Sequence, residues 1–257
     1  MDFLSHNREF WNREVEAENI WTRVVNKDVI QKVREGSWEI VLTPTKPVPK
    51  EWFPSTLTGK KVLCLASGGG QQGPILAAAG ADVTVFDNSP SQLALDRYVA
   101  DRDGLIIHIV QGDMRDLSVF EENYFDFIVH PVSNCFVDTV LPVWREAYRV
   151  LKKGGTLISG FANPIQYIFD LKEFNNGNLI VKHKIPYSDI KDLSEQELKE
   201  LIIDQNEGIC FGHSLTDQIQ GQIEAGFIIS GFYEDKASGN ILDTYIDTWI
   251  ATKAQKL

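Results

Sequence analysis

Cysteine is scarce in this chain of 257 residues: there are three, Cys64, Cys135 and Cys210, far apart and with no CxxC spacing. That excludes a disulfide framework or a cysteine-based zinc site and fits a reducing cytosol, each thiol reading as a small apolar filler. Positive charge is also short, 25 Lys+Arg against 36 Asp+Glu for a formal net charge of −11. So acidic a chain repels phosphate backbones, and no basic cluster beyond short pieces such as Lys152-Lys153 offsets this, so nucleic acid is disfavoured as a partner. No apolar run reaches the ~18–20 residues that a membrane span needs. The start, Met1 to His6, lacks the basic and apolar regions of a secretion signal, so a cytoplasmic protein is expected. What the chain does have is 43% hydrophobic and 11% aromatic residues, enough for one substantial core and too much for disorder.

The organisation predicted is one domain over 1–257 in four parts. Residues 1–57 read as an N-terminal cap. A helix carries Phe10 and Trp11, starting near Ser5, and a second runs from a cap at Asn26 to Val33. An extended connector, Thr43 to Lys50, follows, whose prolines forbid helix. Residues 58–162 alternate apolar strands with helices. The strands are Lys61–Ala66, Asp82–Asp87, Leu105–Val110, Phe127–His130 and Thr156–Phe161. The helices are Pro74–Ala79, Pro90–Ala100 with Ser89 as cap, and Val143–Leu151. Strands so apolar on both faces imply a parallel sheet covered on both sides. Residues 163–213 are an insertion with a capping box at Ser194 to Glu197. Residues 214–257 hold a helix, Ser214–Ala225, and two strands, Gly226–Tyr233 and Asp243–Ala251, whose short link through Gly239-Asn240 requires an antiparallel pair.

The segment Ala66-Ser-Gly-Gly-Gly-Gln-Gln-Gly73 closes the first strand and opens the first helix of the sheet. Glycines there let a ligand approach backbone, and the crevice at the strand's carboxyl end is a nucleotide site. Gly68 to Gly73 fits GxGxxG, which raises an NAD(P)-dependent oxidoreductase as one reading. Asp87 ends the next strand, where a carboxylate can accept both ribose hydroxyls, and Ser89 fills the capping role beside it. Asp113 follows the third strand, where it can accept from an exocyclic amine, and Met114 offers a flat apolar contact. An NAD site needs no acid at that third position. Glycine-rich, acidic, acidic strand ends describe an adenosine nucleoside without phosphates.

As an ordered set these pieces resemble the class I S-adenosylmethionine-dependent methyltransferases. The stretches that carry the resemblance are Val62 to Gly70, Val85 to Pro90, Gln111 to Met114, Tyr124 to His130 and Leu151 to Leu157, together with Ala225-Gly-Phe227 and the final hairpin. It implies a doubly wound, Rossmann-like α/β fold: a seven-stranded, mostly parallel sheet with an antiparallel last strand. It also implies S-adenosylmethionine (AdoMet) as methyl donor and S-adenosylhomocysteine (AdoHcy) as product. Within that pattern Gly68 and Gly70 lie under the cofactor, Asp87 with Asn88 holds the ribose, and Asp113 with Met114 holds adenine. The chain departs from the family with Cys64 where an acid is common and Ala66 where glycine is common. The methionine end is then left to backbone near Ala66, Ser67 and His130, with Gln71 and Gln72 as candidates for part of that role.

The loop after the fourth strand, His130-Pro-Val-Ser-Asn134, lacks the motifs of enzymes that methylate adenine, glutamine or cytosine. Cys135 reads as core. A small-molecule acceptor is therefore expected, under a lid made by the first region and the insertion. Trp11, Trp21, Trp38 and Trp52 all precede the sheet; they either pack the cap or line an apolar pocket facing the sulfonium. Trp11, Trp21 and Tyr167 are the acceptor-side candidates. If the nucleophile keeps a proton, a base is needed, and His213, before the last helix, or His130, at a strand end, could serve. A non-catalytic AdoMet-binding protein is the remaining reading; it would lack a pocket wide enough for an acceptor.

Overall fold

The computed structural model describes the whole chain except residues 238 and 240. Its frame is a seven-stranded sheet in the order β3-β2-β1-β4-β5-β9-β8. The parallel strands are β1 (Lys61–Leu65), β2 (Asp82–Asp87), β3 (Ile107–Gln111), β4 (Phe125–His130) and β5 (Leu151–Ala162). A pair from the insertion, β6 (Tyr187–Ser188) and β7 (Phe211–Gly212), stands apart from the sheet. The reversed strand β9 (Trp249–Gln255) lies between β5 and β8 (Ile228–Asp235), antiparallel to both. The expected sheet and its antiparallel end are both present. Strand order reverses beside β1, between the branch running to β3 and the branch running through β4, which opens a crevice at the carboxyl ends of β1 and β4.

Local chemistry fixes the helices. Helix α1 (Phe3–Glu16) begins before Ser5 because the Asp2 carboxylate accepts from the Ser5 amide at 3.2 Å. Helix α2 (Lys27–Arg34) is capped by Asn26, and α3 (Gln72–Ala78) opens straight from the glycine-rich turn. Helix α4 (Pro90–Asp103) has Ser89 as cap, Pro90 in its first turn and Gly104 at φ +63° as its left-handed stop. Helix α5 (Leu141–Val150) packs the opposite face of the sheet. The insertion holds three short helices, α6 (Leu171–Asn175), α7 (Asp189–Asp192) and α8 (Glu195–Leu198), the last with its capping box formed.

The end of the chain differs from expectation in two places. The helix predicted over Ser214–Ala225 is a π-helical turn, Thr216–Gln220, running into α9 (Gly221–Ala225). The Trp144 indole N–H takes the Asp217 carbonyl at 3.0 Å, so the Gly221 amide bonds one residue further back, to Thr216. The last strand starts at Trp249 rather than Asp243, because Ile241–Thr244 forms a 3₁₀ turn that the Asp243 carboxylate closes on the Thr248 hydroxyl at 2.9 Å. The link expected at Gly239-Asn240 falls partly outside the described residues.

Two cores flank the sheet and a third, small one holds the insertion together through Leu193, Ile202, Ile209 and Phe211. The supposed connector is not peripheral. Thr43 and Val48 within it are buried, and Ile40, Leu42, Trp52 and Phe53 on either side of it belong with Val48 to the main core. Buried Asp235 on β8 anchors the proline-rich bend, accepting from the Thr45 and Lys46 amides at 2.8 and 3.0 Å and from the Thr45 hydroxyl.

Candidate active site

The turn after β1 is strained where the family prefers glycine: Ala66 has φ +47°, a left-handed conformation that costs a residue with a Cβ roughly 1–2 kcal/mol. Two carboxylates hold the turn in place. The Gly68 amide donates to Asp87 at 3.0 Å and the Gly69 amide to Asp96 at 2.9 Å. Asp96 is fully buried, and burial pushes its carboxyl up to about 7, against the backbone hydrogen bonds that pull it down. The sequence contained a signal for it. Gln92 and Asp96 share the face of α4 that buries Leu93, Val99 and Ala100, an uncommon place for an acid. A Cβ on Gly68 would lie 2.8 Å from the Gln92 Cβ and 3.2 Å from the Asp87 carboxylate, so this glycine is required by the protein's own packing.

Asp87 also accepts from the Ser89 amide at 2.9 Å, so each of its oxygens carries one backbone bond. An ionised carboxylate offers about four acceptor sites, which leaves room for two ribose hydroxyls. Burial pushes Asp87 up, opposed by the Ser89, Gly68 and Asn88 amides. Asp113 is different. The Arg115 guanidinium grips it through Nε at 3.1 and 2.9 Å and Nη2 at 2.5 Å, and the Arg115 amide adds a bond at 2.9 Å. Arg115 reaches on to Asp138 at 2.6 Å. The carboxylate expected to meet an exocyclic amine is committed to a neighbour two residues away.

A cavity of about 600 Å³ opens over these strand ends, within the range of small-molecule sites. Sheet order divides it. Ser67, Gly68, Asp87, Asn88, Gly112 and Met114 line the end above β1, β2 and β3. Trp249 on β9, Phe136 after β4, and Phe10 and Trp11 on α1 line the other. Val41 to Pro44 and Pro131 to Ser133 lie among the walls. The rings interlock edge to face, Trp11 against Phe10 at 5.2 Å and against Phe136 at 5.4 Å between centroids.

The N-terminal segment crosses the cavity and is tied at several points. The Asn7 side chain donates to the Phe136 and Ile209 carbonyls at 3.1 and 3.0 Å and accepts from the Ile209 amide at 2.8 Å. Asn88 donates to the Leu4 carbonyl at 3.0 Å, and the Ser89 hydroxyl to Asn12 at 2.8 Å. Gln71 holds the Ile20 and Arg23 carbonyls at 3.1 and 2.9 Å. Gln72 is buried, bonded to Ser67 and to the Val41 carbonyl, each at 3.3 Å. Both glutamines are thus committed to the protein's own backbone and side chains.

Of the residues singled out from sequence, Ala66, Ser67, Gly68, Gln72, Asp87, Asn88, Asp113, Met114, Trp11 and Trp21 line this cavity. Gly70, His130, His213 and Tyr167 do not. Gly70 packs beneath the lid, its carbonyl accepting from the Val25 amide at 3.0 Å. His130 is wholly buried, with Nδ1 beside the Leu65 carbonyl at 2.9 Å and Nε2 beside the Asn134 side-chain oxygen at 2.7 Å. Burial lowers its pKa, opposed by these two contacts. His213 is buried behind the Asn134–Phe136 turn, its Nε2 bonded to the Asn134 carbonyl at 2.9 Å. Neither imidazole faces the cavity, so the reading of either as a base lacks the geometry it needs. Tyr167 stacks on Tyr187 at 5.8 Å, and burial pushes its phenol well up. Trp38 and Trp52 belong to the core, against Phe53 and Tyr233. Sequence reasoning missed Phe136, Trp249, Gln92 and Cys135, which line the cavity through tertiary packing that no periodicity announces.

The methyltransferase domain family matches residues 63–159. Over 254 residues, 99% of this chain and 98% of the relative, the sequence is 58% identical to the uncharacterized methyltransferase YbaJ of Bacillus subtilis. It is 32% identical over 166 residues to a ubiquinone/menaquinone biosynthesis C-methyltransferase, UbiE, of Cereibacter sphaeroides, covering 61% of this chain and 64% of that one. The fold is that of an S-adenosylmethionine-dependent methyltransferase from Mesorhizobium loti, at a TM-score of 0.61 and 15% identity, over 80% of this chain and 95% of that one. The oxidoreductase reading of Gly68 to Gly73 is therefore set aside, and so is the non-catalytic one. By sequence over nearly its full length the chain belongs to the methyltransferases, with the fold of the class I S-adenosylmethionine-dependent ones.

Proposed function

We propose that this enzyme, in the cytoplasm, binds AdoMet at the Asp87 end of the cavity and transfers its methyl group to a small, flat, largely apolar molecule at the aromatic end, releasing AdoHcy. The observation that carries the reading is the continuity of one roofed cavity from the acidic strand ends to the Phe10–Trp11–Phe136–Trp249 wall. The donor supplies a methyl group already activated on a sulfonium. Asp87 has two acceptor sites to spare for ribose hydroxyls, Met114 and Phe86 offer apolar surface for adenine, and the Ser67–Gln72 pair lies at the turn where the chain would meet the methionine end. Among the described residues no histidine lines the cavity. Acceleration then rests on holding two reactants in line in a water-poor space, an effect worth about 7–11 kcal/mol where alignment is good. That the acceptor is small is supported by the lid, tied down at Asn7, Asn12 and Gln71, and by the net charge of −11.

The test is to supply methyl-labelled AdoMet with a metabolite extract and, separately, with protein, RNA and DNA. Label is expected in the low-mass fraction alone. Label confined to a macromolecular fraction would overturn the acceptor assignment.

A further inference from the structure

The three cysteines have different surroundings. Cys64 lies in the middle of β1 with no exposure, and burial pushes its thiol far up. Cys135 is partly exposed, in the turn Asn134–Phe136, and it lines the acceptor end of the cavity. Cys210 lies 75 residues on, just before β7. The fold brings these two segments side by side. The His213 ring bonds the Asn134 carbonyl at 2.9 Å, and Asn7 bridges the Phe136 and Ile209 carbonyls. A Cβ on Gly208 would lie 3.0 Å from the Phe136 ring. Between those ties the two side chains come together: the Cys210 S–H donates to the Gly208 carbonyl at 3.7 Å, and the neighbouring Cys135 thiol, ahead of burial, keeps the proton on Cys210. Asp189 fixes the Cys210 backbone, accepting from its amide at 2.6 Å and donating its own amide to the Cys210 carbonyl at 3.1 Å.

We propose that Cys135 and Cys210 form a redox-responsive dithiol, with Cys135 the thiol that meets a peroxide entering the cavity and Cys210 the thiol that resolves it into a disulfide. In the first step the Cys135 sulfur attacks one peroxide oxygen and the O–O bond breaks, giving Cys135 sulfenic acid and one water. In the second the Cys210 sulfur attacks the sulfenic sulfur, the S–O bond breaks, and the hydroxyl leaves with the thiol proton as a second water. Peroxide is reduced and the two thiols are oxidised by two electrons. The bond would draw the Cys135 sulfur out of the cavity wall and tie the turn carrying Phe136 to the insertion. Redox state would thus reshape the acceptor end and leave the Asp87 end alone; this consequence rests on the proposed function, whereas the bond itself does not.

The test treats the full-length protein with hydrogen peroxide, blocks remaining thiols with N-ethylmaleimide, and maps peptides by mass. The expected product is a Cys135–Cys210 linkage within one chain, two hydrogens lighter and reversed by dithiothreitol, with Cys64 alkylated only after denaturation. In Cys210→Ser, Cys135 should instead stop at the sulfenic or sulfinic acid. Two thiols still free after peroxide has oxidised surface methionine, or Cys135 sulfinic acid accumulating beside a free Cys210, would overturn the proposal. Wild-type mapping decides the matter even if the variant does not fold. AdoHcy titration of reduced and oxidised protein reads the cofactor end separately: unchanged affinity is expected, and a loss on oxidation would contradict confinement to the acceptor end.

Discussion

Asp87 and Asp96 divide the work of the glycine-rich turn. Asp87 faces the cavity and holds Gly68; Asp96 faces the core and holds Gly69. Asp87→Ala should therefore weaken AdoHcy binding by about 1–3 kcal/mol in calorimetry, and lower the melting temperature as well, because Gly68 and Ser89 lose their acceptor. Intact affinity in a folded variant would remove Asp87 from the cofactor site. Asp96 makes a separate, signed prediction. Its carboxyl, held up to about 7 in the folded protein, retains a proton that the unfolded chain releases near the ordinary value of 3.8. The folded state thus binds more protons between these values, and this contribution to stability falls as pH rises through the window and is flat above it. Asp96→Asn keeps an acceptor for Gly69 and removes the titration. Urea unfolding at pH 5 and pH 8 should show the variant gaining on wild type toward the higher pH; parallel changes would mean that Asp96 stays ionised.

Among the elements, the proline-rich bend and the last hairpin stabilise each other through one side chain. Asp235 is held down to about 2 despite its burial, the Thr45 hydroxyl and amide bonds outweighing the cost of desolvation. Its stabilisation is present above the unfolded value of 3.8 and is lost as pH falls through the folded one. Asp235→Ala should cost on the order of 1–3 kcal/mol at neutral pH by stranding two amides, and the gap to wild type should close toward pH 2. A gap independent of pH would assign the loss to packing. This tie spans 190 residues, which is why the bend read as a mere connector. Strand and helix cores were legible because apolar runs and capping residues act locally: Ser89, Asn26 and Ser194 all cap where expected. Asp87 was legible because a strand's end fixes where its last side chain points. Arg115, only two residues from Asp113, was not, since its pairing depends on how the chain turns after β3. Nor were the histidines, because only tertiary packing tells a buried ring spent on carbonyls from one that faces a cavity.

Across the whole molecule, the N-terminal region separates at a point the sequence placed too late. Val33, Ile40, Leu42 and Trp52 belong to the main core, whereas α1 and the Ile20–Thr22 turn roof the cavity. A chain beginning near residue 58 should fail to fold. One beginning at residue 25 should fold with a lower melting temperature and lose methyl transfer more completely than AdoHcy binding; full transfer from it would refute the roof.

A crystal structure of the full chain with AdoHcy tests the two-ended cavity most directly. The adenosine should lie above β1, β2 and β3, with both ribose hydroxyls on the Asp87 carboxylate and the space between Trp11, Phe136 and Trp249 left free for the acceptor. AdoHcy seated among those rings, or an Asp87 carboxylate bonded only to Gly68 and Ser89, would contradict it.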